Sequence, residues 1–176
     1  MSPQKHTMTR ECIFTALQML MEQKPYEEIT ITDIAKKAGV SRMSYYRIYK
    51  SKDDILIQYF NDIFEECLEQ MKDCGIDNRR QFAVLVFETI KDHHQLIEGV
   101  FRAKLYELVL GCLIQYCTYL AEHILHENME DAQIGYWIYA EAGRLGLLIF
   151  RWLEQGMPES PEKMAELLMK DFFRKN

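Results

Sequence analysis

Between Thr32 and Lys52 the chain gathers side chains suited to holding a polyanion and reading the edge of a base. Ser41 stands at the start of a short helical pattern. Its hydroxyl and the free backbone N–H groups of a helix N-terminus both suit a phosphate. Arg42 follows in the exposed first turn, where a guanidinium reads guanine by a bidentate contact, with Met43 beside it. Tyr46 lies one turn after Arg42 on the same face, and its hydroxyl also fits a phosphate. Lys52 opens the next helix, where ammonium and helix terminus both favour phosphate.

Elements that position these groups follow from caps and spacing. A first helix is expected over 9–23, with Ile13, Leu17 and Leu20 on one face. Thr32 stands where an N-cap is expected for a short helix over 33–38, which Gly39 ends with positive φ. Ser41 caps a third helix reaching Ile48, and Ser51 caps a fourth over 52–72. A short helix, a glycine turn and a second capped short helix make a helix-turn-helix, which lays its second helix in the major groove. Further helices are expected over 80–92, 94–102, 104–127, 129–155 and 161–174. The fold class is therefore all-α. A three-helix helix-turn-helix domain (1–52) precedes a helical bundle for sensing and dimerisation (53–176), and the fourth helix belongs to both.

Charge is divided the same way. The chain of 176 residues has a net charge of −6, yet residues 1–52 hold nine basic against five acidic side chains and the remainder 12 against 22. A basic head on an acidic body suggests a localised surface for nucleic acid. Hydrophobic residues make up 48% of the chain, enough to leave apolar surface for a subunit interface or a pocket.

From Ile31 to Leu56 the string resembles the TetR/AcrR family of transcription regulators. Thr30/Thr32, Ile34, Ala35, Ala38, Gly39, Val40, Ser41, Tyr46, Tyr49, Lys52 and Leu56 stand in register with its pattern. The resemblance implies that Tyr45 and Tyr49 are core residues and that Thr32, Tyr46 and Lys52 touch phosphates. It implies that Arg42, Met43 and Ser44 lie nearest to bases. The chain departs from the family at Met43, where a small residue is common, and at Tyr49, where phenylalanine is usual. The segment from Gly156 to Leu168 is similar to a subgroup with short sensor domains, some of which act in dihydroxyacetone-kinase regulation. The function implied is a homodimer, most readily a repressor, on a palindromic operator in double-stranded DNA, controlled by a small-molecule or protein effector. An activator or co-regulator answering a partner protein stays open, as does a helical interaction or metal-carrier protein that does not bind DNA.

The body carries two candidate surfaces. Phe87, Phe101, Tyr106, Cys112, Tyr116 and Trp137 are of the types that line an apolar cavity with a few hydroxyls, although aromatics at helical spacing also pack as plain core. The helix over 129–155 is apolar nearly all round, so it is buried all round. Its Tyr139, Gly143, Gly146, Phe150 and Leu153, with Leu168 and Phe172 of the last helix, are candidates for a dimer interface, which the resemblance places on these last two helices.

Other chemistry finds no constellation. There is no GxSxG, HExxH or glycine-rich phosphate loop, so no catalytic residue and no enzyme is expected. The pairs His93-His94 and His123-x-x-His126 have no cysteine at zinc spacing, so no metal or cofactor is expected. The five cysteines form no CxxC pair, and all but Cys74 sit in apolar helical patterns as reduced core thiols. With no signal-peptide h-region and no run of ~20 apolar residues, the chain reads as cytoplasmic and clear of the membrane.

Overall fold

A computed structural model describes residues 3–73 and 78–170, which are helical throughout, with no strand among them. The elements are α1 (Pro3–Met21), a 3₁₀ turn (Tyr26–Glu28), α2 (Ile31–Lys37), α3 (Arg42–Tyr46) and α4 (Lys52–Asp73). The body adds α5 (Arg79–Asp92), α6 (His94–Arg102), α7 (Tyr106–His123), α8 (Ala132–Glu154) and α9 (Pro161–Met169). No described helix is long and apolar enough to cross a membrane.

Several boundaries differ from the sequence reading for local reasons. Lys104, expected inside a helix, has φ 58° and turns the corner between α6 and α7. His126 has φ 54°, so α7 stops at His123 rather than Glu127. Asp131 caps α8 by accepting the Gln133 N–H at 2.9 Å, which moves its start from Met129 to Ala132. The expected end of the last helix at Arg174 lies outside the described residues.

The head packs α1, α2, α3 and the start of α4 around one core. Ile13, Leu17, Ile34, Tyr45, Ile55 and Leu56 are fully buried in it. Leu96 and Val100 of α6 complete this core from the body side. Burying each such side chain stabilises the fold by ~1.5–3 kcal/mol before entropy is counted.

The body has two further cores. In one, Phe87 of α5, Phe101 of α6, Trp152 of α8 and Met164 of α9 pack together. Phe87 meets Trp152 edge-on with ring centroids 5.6 Å apart, and the Trp152 indole N–H donates to the Glu159 carbonyl at 3.1 Å. In the other, α7 and α8 run antiparallel around Cys117, Ala121, Ile138 and Ala142. Gly146 admits α7 here, since a Cβ at that position would stand 3.1 Å from Leu113 Cδ1.

Candidate nucleic-acid interface and an apolar cavity

The cap of α2 is Thr30, not Thr32 as the sequence reading has it. The Thr30 Oγ1 accepts the Asp33 N–H at 3.1 Å, while Asp33 Oδ2 accepts the Thr30 N–H at 3.0 Å. This reciprocal pair needs the acid three residues after the cap, a spacing only Thr30 has. The Lys24 ammonium donates to the same Asp33 oxygen at 2.8 Å, and with the Thr30 N–H holds that carboxyl well below the usual carboxylate range. Thr32 is thereby an exposed residue of the first turn of α2.

The turn between α2 and α3 is a Schellman turn. The Val40 N–H donates to the Ala35 carbonyl at 2.9 Å and the Gly39 N–H to Lys36 at 3.2 Å, with Gly39 at φ 67°. A left-handed residue is required there, and glycine adopts it without a Cβ penalty. Ser41 caps α3 by accepting the Ser44 N–H at 3.1 Å, and the two serine hydroxyls lie 2.9 Å apart. Beneath the helix Tyr45 is fully buried and donates its hydroxyl to the Ser51 carbonyl at 2.8 Å. Tyr49 is also buried.

On the outer side, Arg42, Met43 and Tyr46 are all exposed. The Tyr46 ring stands edge-on to that of Tyr45 at 5.5 Å. Lys36, Lys37, Arg47 and Lys50 are exposed as well, and none of them nor Arg42 is in an ion pair. No acidic residue occurs from 34 to 52. The sequence reading counted these four cations in the charge of the head without placing them on the surface. Their signal was the long run free of acids.

Lys52 is spent differently. Its ammonium donates to the carbonyls of Tyr26, Ile29 (3.1 Å) and Glu27 (3.4 Å) and sits 4.3 Å from the centroid of the Tyr26 ring. The Tyr26 hydroxyl donates to Asp53 at 2.6 Å, and burial, reinforced by that bond, pushes it well above the ordinary tyrosine range. All three ammonium protons thus serve the 3₁₀ turn, so Lys52 acts as a clasp between that turn and α4.

The body holds a partly open, apolar cavity of about 470 Å³, within the size range of small-molecule sites. Of the expected lining residues, Phe101, Cys112, Tyr116 and Trp137 border it. Phe87 does not, being fully buried against Trp152, and Tyr106 is an exposed first residue of α7 beside Phe150. Phe60, Ile63, Phe64 and Cys67 of α4 also line it, so one helix carries both head core and cavity wall.

Several of the polar groups on the wall are already engaged. Tyr116 donates to Asn61 at 3.2 Å, Thr89 to the Leu85 carbonyl at 2.9 Å, and Arg144 to both oxygens of Glu141 at 2.9 and 2.7 Å. Burial, with Glu141 nearby, pushes the Cys117 thiol up to about 11, and burial raises Cys67 and Cys112 too. Cys12, expected in the core, is exposed.

Of the expected interface residues, Tyr139 is exposed at 65% and Gly143 is half-buried. Gly146 faces α7 and Leu153 is buried in the chain's own core, while Phe150 packs on Phe101 with centroids 5.2 Å apart. Leu168 borders the cavity, and Phe172 lies outside the described residues. An alternative apolar stripe on α8 is Tyr136, Tyr139, Gly143 and Leu147, whose two end residues are 81% and 72% exposed.

Three of the histidines have separate partners. His93 Nδ1 lies 2.9 Å from the Tyr59 hydroxyl, His94 meets the Lys91 carbonyl, and His123 stacks on Tyr119. No group of three metal-ligating side chains occurs among the described residues.

Two family profiles match the chain. One, described as bacterial regulatory proteins of the tetR family, matches residues 13–59, and the other, a transcriptional regulator C-terminal region, matches residues 77–172. The regulator EthR of Mycolicibacterium smegmatis is 33% identical over 66 residues, covering 38% of this chain and 28% of that protein. The dhaKLM operon transcriptional activator DhaS of Lactococcus lactis is 26% identical over 69 residues, 39% of this chain and 37% of its own length. The matches thus span less than half the length of these curated relatives. A solved TetR-family regulator from Syntrophomonas wolfei shares the fold with a TM-score of 0.59 at 15% identity, covering 91% of this chain and 90% of the other.

Proposed function

This chain belongs to the tetR family of bacterial regulatory proteins, and we propose that it represses transcription by binding a palindromic operator as a homodimer, under the control of an apolar effector. The observation that carries the reading is the outer face of the head. Arg42 and Tyr46 stand exposed on a capped helix, with unpaired cations around them and no acid from residue 34 to residue 52. Such a face takes the phosphates and base edges of a major groove.

One such head reads too few base pairs alone, and two-fold symmetry supplies a second half-site. The stripe from Tyr136 to Leu147 supports pairing through α8, because large apolar groups left in water at helical spacing mark an interface. Dimerisation thus falls on Tyr136, Tyr139, Gly143 and Leu147.

The cavity supports control from the body. Its lining is chiefly apolar, and Tyr116, Thr89 and the Arg144–Glu141 pair already have partners within the chain, so a hydrogen-bonding ligand group set against them would be stripped of water without replacement. The part of the ligand against these walls is therefore mainly hydrocarbon. Because α4 borders this cavity and also holds the 3₁₀ turn of the head through Lys52, a ligand that favours one setting of α4 shifts the heads to one spacing.

The test is selection of bound duplexes from a random pool at near-physiological salt. A recovered palindrome supports the reading, and a reporter driven from it then gives the sign of regulation. Failure to enrich any sequence, with the chain folded and dimeric, overturns it.

A further inference from the structure

Met43 is the least protected large apolar side chain of the head's outer face, 69% exposed, beside a half-exposed Tyr46. It belongs to no core cluster. Its sulfur lies 3.9 Å from Arg47 Nη2, which steadies the thioether on the surface of α3. Ser41, Arg42 and Ser44, its nearest neighbours in sequence on this helix and its cap, are polar or charged.

The major-groove edges of the bases present hydrogen-bond donors and acceptors at nearly every point, and one apolar group, the C5-methyl of thymine. A thioether pressed against an amino group or a carbonyl removes water from it and returns nothing. Pressed against the thymine methyl, it buries two apolar surfaces at once. The surrounding cations and the lack of acids from 34 to 52 bring the duplex to this face.

We propose that Met43 is a specificity-determining residue that reads thymine through its C5-methyl group, so that each half-site of the operator holds a thymine opposite it. This rests on the DNA-binding reading above and goes beyond it by naming the base and the atom.

The test uses the full-length protein and the palindrome it selects. Each thymine is replaced in turn by deoxyuridine, which deletes the methyl and leaves the pairing intact. At one thymine per half-site, uracil lowers affinity about fourfold, the worth of one buried methylene. Met43→Ala binds the thymine and uracil duplexes equally, whereas Met43→Leu keeps the preference for thymine. Circular dichroism shows that the variants are folded. A selected palindrome with no uracil-sensitive thymine, or a Met43→Ala protein that still discriminates, overturns this proposal and leaves the regulator reading standing. A folded chain that selects no sequence overturns both.

Discussion

Head and body use similar helices and similar apolar residues, yet one is filled and the other is hollow. Between Ile13 and Leu56 the inward-facing apolar residues of the head close on each other, with Leu96 and Val100 sealing the remaining side. In the body, α4, α5, α7 and α8 leave about 470 Å³ between them. A surface that must fit a groove of fixed shape gains from a rigid support. A device that must answer a ligand needs room for it and two settings that the ligand weighs differently. The difference in packing is the one that the proposed division into a reading head and a sensing body requires.

Truncation probes this contrast most strongly. Leu17→Ala opens a hole in the filled core and is expected to cost ~2–5 kcal/mol in urea unfolding. Ile63→Ala, on the cavity wall, is expected to cost under ~2 kcal/mol, since part of its surface already faces a void. Equal losses would mean that the body is as filled as the head.

Addition runs the other way. Ala35→Leu forces methylenes into the buried contact of α2 and is expected to destabilise by ~1–3 kcal/mol. Val86→Leu extends into the cavity, with an expected change below ~1 kcal/mol in the same unfolding measurement.

Lys52→Ala separates support from contact. It removes the clasp on the 3₁₀ turn and is expected to cost ~1.5–3 kcal/mol of stability, the range for hydrogen bonds to a charged group. Tyr46→Ala is expected to stay within ~0.5 kcal/mol of the parent in stability while weakening DNA binding. A Lys52→Ala protein as stable as the parent would return Lys52 to the phosphate-binding role read from the sequence.

The smallest effect is in the acid limb of stability. The Asp33 carboxyl is held low in the fold by Lys24 and the Thr30 N–H. Its contribution is therefore fully present above the unfolded value of about 4 and is lost as pH falls below that. The parent is expected to lose more stability than Asp33→Asn between about pH 5 and pH 2. Superimposable pH profiles would show that the pair contributes nothing.

The head was legible because its determinants are local. The cap at Ser41, the glycine at 39 and the buried phase of Tyr45 and Tyr49 are each read within one or two turns. Thr30 was missed in favour of Thr32 although Asp33 three residues on was a readable signal. The body was less legible because its helices are apolar on more than one side. On α8 the pattern gives no phase, so Leu153 and Gly146 read as interface while the fold turns them inward. Phe87 and Phe101 look alike in sequence, and only tertiary packing puts Trp152 over one and a void beside the other. The cavity wall on α4 was hidden because its residues interleave with those of the head core.

The most direct measurement is a mobility-shift titration of the selected palindrome and a scrambled duplex with the parent and with Arg42→Ala. The parent is expected to prefer the palindrome. Arg42→Ala is expected to lose ~1–3 kcal/mol on the palindrome, with most of that preference gone. An Arg42→Ala protein that binds and discriminates like the parent would contradict the placement of the reading surface on α3.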